Sequence, residues 1–146
     1  MTYTAIVLAA ALKVKVSGAL LLAVCSHESN LTNVVVHGDG GSSSYGICQV
    51  KEGTARMFGF TGKAKDLMDP FVNAKYAARY LKYQEKRYGG DSMGPCKMVA
   101  AYNAGRFNES KRVPGKPMNL RYVRNVQNRL AEHLQPMLSC EMVGTE

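Results

Sequence analysis

The chain has 146 residues, 46% of them hydrophobic and 21% charged, which is the length of one domain and far from the composition of disordered chains; a chain of this size buries roughly two-thirds of the surface it exposes when unfolded. Nineteen Lys and Arg against eleven Asp and Glu give a net charge of +8, which points to an acidic partner (nucleic acid, anionic lipid or a wall polymer bearing carboxylates and phosphates) without choosing among them. No apolar run approaches the roughly 20 residues of a membrane-spanning helix.

The apolar spacing from Tyr3 to Val14 predicts a first helix. Its segment Ala5 to Leu12 has the look of a signal peptide, but no basic stretch precedes it and Lys13 and Lys15 follow, so it reads as part of the mature fold. After a break at Ser17-Gly18 a second helix is almost wholly apolar through Leu20, Leu21, Leu22, Ala23, Val24 and Cys25, and should be central and buried. It ends in Ser26-His27-Glu28-Ser29-Asn30. From Val34 the chain turns β-branched and then Gly- and Ser-rich, predicting an irregular or hairpin-like excursion over about 34–50.

A short helix is expected from Glu52 to Phe58, and a loop around Gly59 and Gly62. Asp69-Pro70 reads as N-cap and first helical position of a long helix that runs to Tyr88 and stops at Gly89-Gly90. Tyr76, Tyr80 and Tyr83 form a stripe on it, which reads as core rather than a ligand platform. A further helix runs from Gly94 or Pro95 to Asn103, a basic loop follows, and a last helix spans about Met118 to Leu134. The expected fold is mainly α, in a single domain over 1–146, with one small β-like excursion.

Cys25, Cys48, Cys96 and Cys140 show no C-x-x-C pair, so neither a zinc site nor a redox motif is indicated. Two of them lie in apolar or motif segments, where a cysteine acts as a small buried hydrophobe, and free thiols are expected over bridges. No metal or organic cofactor is called for.

Glu28 stands out. Cys25, Val24 and Leu21 precede it by three, four and seven positions, which sets its carboxylate on the apolar face of the buried helix. Desolvation and the C-terminal end of the helix dipole both favour a protonated acid there. A protonated carboxyl is what glycosidic cleavage requires, because the leaving sugar oxygen must receive a proton. A capped or ion-paired helix-end Glu is the ordinary alternative.

Four separated segments resemble the soluble lytic transglycosylase domain, which is related in fold to goose-type lysozyme. Glu28-Ser29 is similar to the family's catalytic Glu-Ser pair, and Gly46-Ile47-Cys48-Gln49 to its Gly-Leu-Met-Gln motif. Ala101-Tyr102-Asn103-Ala104-Gly105 is similar to its Ala-Tyr-Asn motif, and Tyr122-Val123 to its later tyrosine motif. The resemblance implies a lysozyme-like helical fold and cleavage of peptidoglycan between MurNAc and GlcNAc. It implies Glu28 as sole acid/base, with Ser29, Gln49, Tyr102, Asn103 and Tyr122 lining the sugar cleft. Cys48 departs from the usual Met. The Gly- and Ser-rich stretch around Asp39 is similar to stretches in phage-encoded relatives, so a phage or prophage lysin is the expected source.

The family's transglycosylases need no second carboxylate, because the C6 hydroxyl of MurNAc closes onto its own anomeric carbon and leaves a 1,6-anhydro end. An inverting hydrolase needs one roughly 6.5 to 9.5 Å away to activate water. Asp39 is the candidate for that muramidase alternative, although an Asp among glycines is also a common turn residue. The transglycosylase is the favoured reading.

Residues 106 to 129 hold seven basic residues against one acidic residue, Glu109. This segment, Arg106 to Arg129, is expected to meet anionic wall or outer-membrane polymers, or else to be a solvated face. A nucleic-acid-binding module is the competing class, but no binding motif is present and Glu28 would go unexplained; a noncatalytic wall-binding module is a third. No nucleic-acid partner is expected, and a monomer is the default. Action in the periplasm or cell wall without an evident signal peptide implies delivery by a phage virion, a holin or secretion machinery.

Overall fold

The computed structural model describes residues 1–38, 42–130, 138 and 140. It resolves into two compact units, Met1–Tyr80 and Leu81–Glu146.

In the first unit, Thr2 accepts the Ala5 N–H at 3.1 Å and starts α1, Tyr3–Val14. Lys15 ends it in a left-handed conformation (φ 60°), and Ser17 then accepts the Leu20 N–H at 3.1 Å to start α2, Gly18–Ser29. Both helices begin where the sequence predicts, because a hydroxyl stands at each N-cap to satisfy an otherwise orphaned donor. They pack together on Ile6, Val7, Ala11, Leu20, Leu21 and Val24, all buried. Gly18 allows the close approach: a Cβ there would stand 3.0 Å from Leu8 Cδ2.

The excursion predicted over 34–50 is a three-stranded antiparallel sheet, β1 Val35–His37, β2 Ser43–Tyr45 and β3 Val50–Lys51, in the order β1-β2-β3. Its register pairs Val35 with Tyr45 and Tyr45 with Val50. Gly46-Ile47-Cys48-Gln49 is therefore the loop closing the second hairpin. Asp39, the possible second carboxylate, lies outside the described residues.

Next come α3, Glu52–Met57, and a 3-10 turn, Ala64–Met68, in a stretch expected to be plain loop. Asp66 holds that turn by accepting the Lys63 N–H at 2.9 Å. Asp69 accepts the Phe71 N–H at 2.9 Å and caps α4, Pro70–Tyr88. Residues 70–80 of α4 belong to the first unit, where Tyr76 is buried edge-on against Phe60 with ring centroids 5.4 Å apart.

The second unit holds the rest of α4, then α5, Gly94–Ala104, and α6, Leu120–Gln127. α5 buries Cys96, Met98, Val99, Ala100 and Ala101 and packs on α6 through Val123 and Val126. α6 is shorter than predicted. Past Gln127 the chain tightens into turns, with Arg129 N–H to Val126 O at 2.9 Å and Leu130 N–H to Gln127 O at 3.1 Å; the expected continuation to Leu134 falls on residues outside the description. Among the described residues no helix is long and apolar enough to cross a membrane.

The expectation of free thiols is overturned. Cys25 is bonded to Cys48 and Cys96 to Cys140, with Cα atoms 4.2 and 5.4 Å apart. Cys25, Cys48 and Cys96 are fully buried, as apolar flanks imply. Burial alone does not separate a thiol from a half-cystine, and partners 23 and 44 positions apart meet only through the tertiary fold.

Candidate functional site

Glu28 sits in the last turn of α2, half-buried, directly after the fully buried Leu21, Val24 and Cys25. The helix stops one residue later because Asn30 and Leu31 both take left-handed conformations (φ 55° and 54°), with the Asn30 N–H donating to Ser26 O at 2.7 Å. An abrupt reversal after Glu28-Ser29 leaves the carboxylate at a helix terminus rather than along its side.

Two links tie this terminus to the second hairpin loop. The Cys25–Cys48 bond is one. The other is the Ser29 hydroxyl, which donates to Ile47 O at 2.6 Å and accepts the Thr32 N–H at 3.1 Å. The hydroxyl of Ser29 thus fastens the loop to the helix that carries Glu28. In the same loop Gln49 is left-handed (φ 52°), a conformation costly for a residue with a Cβ. Its side-chain amide offsets that cost by donating to Val34 O at 3.0 Å and Gly46 O at 2.9 Å. Strained residues held this firmly cluster at functional sites.

Sequence reasoning missed the residue that supports this loop from beneath. Asn73 on α4 is fully buried, and its Oδ1 accepts the Cys48 N–H at 2.8 Å while its Nδ2 donates to Tyr45 O at 2.6 Å and Leu67 O at 2.8 Å. A Cβ at Gly46 (φ 78°) would stand 2.5 Å from Asn73 Nδ2, so glycine there serves both the turn and the approach of the amide. Asn73→Ala leaves one N–H and two carbonyls without their partner. At about 1–3 kcal/mol per buried group stranded, the variant should lose roughly 3 kcal/mol or more of stability in urea-unfolding measurements. A loss under about 1 kcal/mol would mean the loop holds itself.

The second unit contains the other two motifs. Tyr102 is buried on α5 and Asn103 is exposed one residue on. Asn119 donates to Asn103 Oδ1 at 2.9 Å and to Ala100 O at 3.0 Å, so the residue leading into α6 is bonded to the Ala-Tyr-Asn motif. Tyr122 lies half-buried on α6. The C-terminus of α5 has its own missed support, the fully buried Gln84, whose Nε2 reaches Ala101 O at 3.4 Å and Gly105 O at 3.3 Å. Arg87 donates to the same Gly105 O at 2.9 Å and to Gln84 Oε1 at 3.1 Å. Gly105 O, just past the helix end, thereby gains side-chain donors, while Ala101 O also accepts the Gly105 N–H at 2.7 Å.

A signal for both amides was present. Asn73, Ala77, Leu81 and Gln84 fall on one stripe of α4 at steps of four, four and three, and all four are fully buried. The basic segment, by contrast, faces solvent: Arg106, Lys111, Arg112, Arg121, Arg124 and Arg129 are exposed and Lys116 half-buried.

The structure resembles that of an inactive Glu-to-Gln variant of the lytic transglycosylase Slt from Pseudomonas aeruginosa, with a TM-score of 0.58 at 19% identity. The match covers 92% of this chain and 22% of that one, so the chain spans about a fifth of that protein's length. At this identity the likeness speaks for the mainly helical, lysozyme-like fold. The sequence supplies the rest: residues 5–120, which hold the Glu-Ser pair, the disulfide-pinned hairpin loop and the Ala-Tyr-Asn motif, match the transglycosylase SLT domain, and the chain belongs to that family.

Proposed function

We propose that the chain is a peptidoglycan lytic transglycosylase, acting as one catalytic domain over 1–146, with Glu28 as its sole acid/base. The protonated carboxyl gives its proton to the glycosidic oxygen as the bond from that oxygen to C1 of MurNAc breaks. The C6 hydroxyl of the same sugar then attacks C1 and returns its proton to the carboxylate. The acid is regenerated, no water is consumed, and the product carries a 1,6-anhydro end.

The observation that carries this reading is the placement of Glu28, at the terminus of a buried helix bound by a disulfide and a hydroxyl to a strained loop. Pre-positioning of this kind is what a single proton donor needs, because a misplacement of about 1 Å costs on the order of a hundredfold in rate. In this reading Gln49 meets the sugar through its Oε1, Ser29 acts through the loop it fastens, and Tyr102, Asn103 and Tyr122 orient substrate. The Glu-to-Gln change in the inactive Slt variant is the same kind of change that this reading makes decisive at Glu28.

Mass spectrometry of muropeptides released from purified peptidoglycan tests it. Anhydro products, each lighter by one water than a reducing-end product, are expected. Reducing ends would replace this reading with a muramidase and make Asp39 the next residue to change.

Two disulfides fit action in an oxidising compartment, where the wall lies, such as the periplasm; delivery by virion, holin or secretion machinery belongs to the same proposal. The exposed basic segment would hold the enzyme near anionic wall or outer-membrane polymers. Replacing Arg121 and Arg124 together by Ala should weaken sedimentation with peptidoglycan at about 0.01 M salt, where charges act over roughly 30 Å, and change little at about 1 M, where they act over roughly 3 Å. A loss equal at both salt concentrations would remove charge as the cause.

A further inference from the structure

Within the first unit, α1 and α4 enclose a groove of about 480 Å³, within the size range of small-molecule sites. Ile6, Ala9, Ala10 and Val14 of α1 and Phe71 of α4 form its apolar surface. Three cationic side chains complete it, Lys13, Lys75 and Arg79, and among the described residues no acidic one does. The bias extends beyond the lining, since neither Tyr3–Val14 nor residues 70–80 contain any Asp or Glu. Arg79 is anchored by donating to Phe58 O at 3.0 Å, and both Lys75 and Arg79 stand 5.4 Å from the Tyr76 ring, so two of the cations are held in place. Phe71 is 59% exposed, and Leu12, next to Lys13 in the chain, is 78% exposed.

We propose that this groove seats an anionic phospholipid at a membrane surface, with part of an acyl chain against the apolar lining and the phosphate at Lys13 and Lys75. The charge pattern selects the occupant. A soluble anion would gain nothing from the apolar lining or from exposed Leu12 and Phe71, and a neutral apolar ligand would gain nothing from three cations in a groove whose described lining holds no acidic residue. A second copy of a chain carrying +8 brings mostly like charge. Lysines suit the interface because their alkyl stems lie along apolar surface while the ammonium meets a headgroup. The inference is independent of Glu28, and its readout is lipid binding rather than catalysis.

The test is flotation of the full chain with vesicles of phosphatidylglycerol mixed into phosphatidylcholine, beside vesicles of phosphatidylcholine alone. Binding is expected only to the anionic vesicles. Lys13→Glu with Lys75→Glu should weaken it at least about tenfold. Ala9→Trp, at an exposed position of the groove wall, should also weaken it several-fold while leaving every charge in place. Arg121→Ala with Arg124→Ala should change it less than about twofold. Retained circular dichroism and retained muropeptide release from lipid-free peptidoglycan establish that the groove variants still fold. Failure to bind anionic vesicles would overturn the proposal. So would equal losses for the Arg121/Arg124 and Lys13/Lys75 pairs with none for Ala9→Trp, which would mark adsorption by net charge alone. Concentration-dependent dimers abolished by Ala9→Trp would give the groove to a second copy instead.

Discussion

Glu28→Gln should release muropeptides from purified peptidoglycan at least about a thousandfold more slowly than the parent chain, because the amide has no proton to give at the pH where the carboxyl does. The change is nearly isosteric, so circular dichroism and the urea midpoint should stay close to those of the parent. Peptidoglycan binding should also survive, since the basic residues of 106–129 and the loop at Gln49 are untouched. Equal release by both proteins would take the catalytic role from Glu28 while leaving family membership and fold in place. Unlike product mass, this comparison separates the acid from the chemistry that follows bond breakage.

The second large effect is expected from Cys25→Ser with Cys48→Ser. The bond closes a loop with a sequence separation of 23, and the loss of that constraint on the unfolded chain is worth about 3 kcal/mol in the loop-entropy account. For a chain of this length, that is a fall of roughly 10 °C in Tm. Activity should fall further than stability alone explains, because Cys25 precedes Glu28 by three positions and Cys48 precedes Gln49 by one. Assayed well below its Tm, the double variant should show a lower kcat with a smaller change in KM, the mark of a misplaced reacting group. The corresponding Cys96→Ser with Cys140→Ser variant loses a longer closure of 44 positions, about 4 kcal/mol by the same account, but neither residue adjoins Glu28 in the chain. If both pairs lowered kcat equally below their melting points, the Cys25–Cys48 bond would be a staple and nothing more.

What the sequence disclosed and what it withheld follow a physical division. The starts of α1, α2 and α4 were legible because their signals are local: apolar spacing opens at Tyr3, Ser17-Gly18 breaks it, and Asp69-Pro70 announces a helix with a cap and a fixed φ; the structure adds Thr2 and Ser17 as caps of the first two. The end of α5 was legible to within one residue, expected at Asn103 and found at Ala104, before Gly105. That Glu28 falls in the last turn of α2 was legible from the apolar run and the polar residues that close it. The disulfides, the roles of Asn73 and Gln84, and the attachment of Ser29 to Ile47 were not legible. Each joins residues that are distant in sequence, 18 positions apart for Ser29 and Ile47 and 25 for Cys48 and Asn73, and no local propensity records them. A polar residue on a helix reads by default as surface; only the stripe shared with Ala77 and Leu81 distinguished the two amides.

Both sulfurs of the Cys25–Cys48 bond belong to residues with no exposed surface. A small reductant such as glutathione attacks by direct approach of a thiolate, and a folded chain offers no path for one. While the chain stays folded the pair is shielded from that attack, so exchange with the surrounding thiols waits on an opening of the fold. A batch in which the bond had formed incompletely would equilibrate between its oxidised and reduced forms only as fast as the fold opens. Specific activity measured on such a batch would report its folding history as much as its catalytic power, and thiol titration under denaturing conditions should precede any comparison of rates.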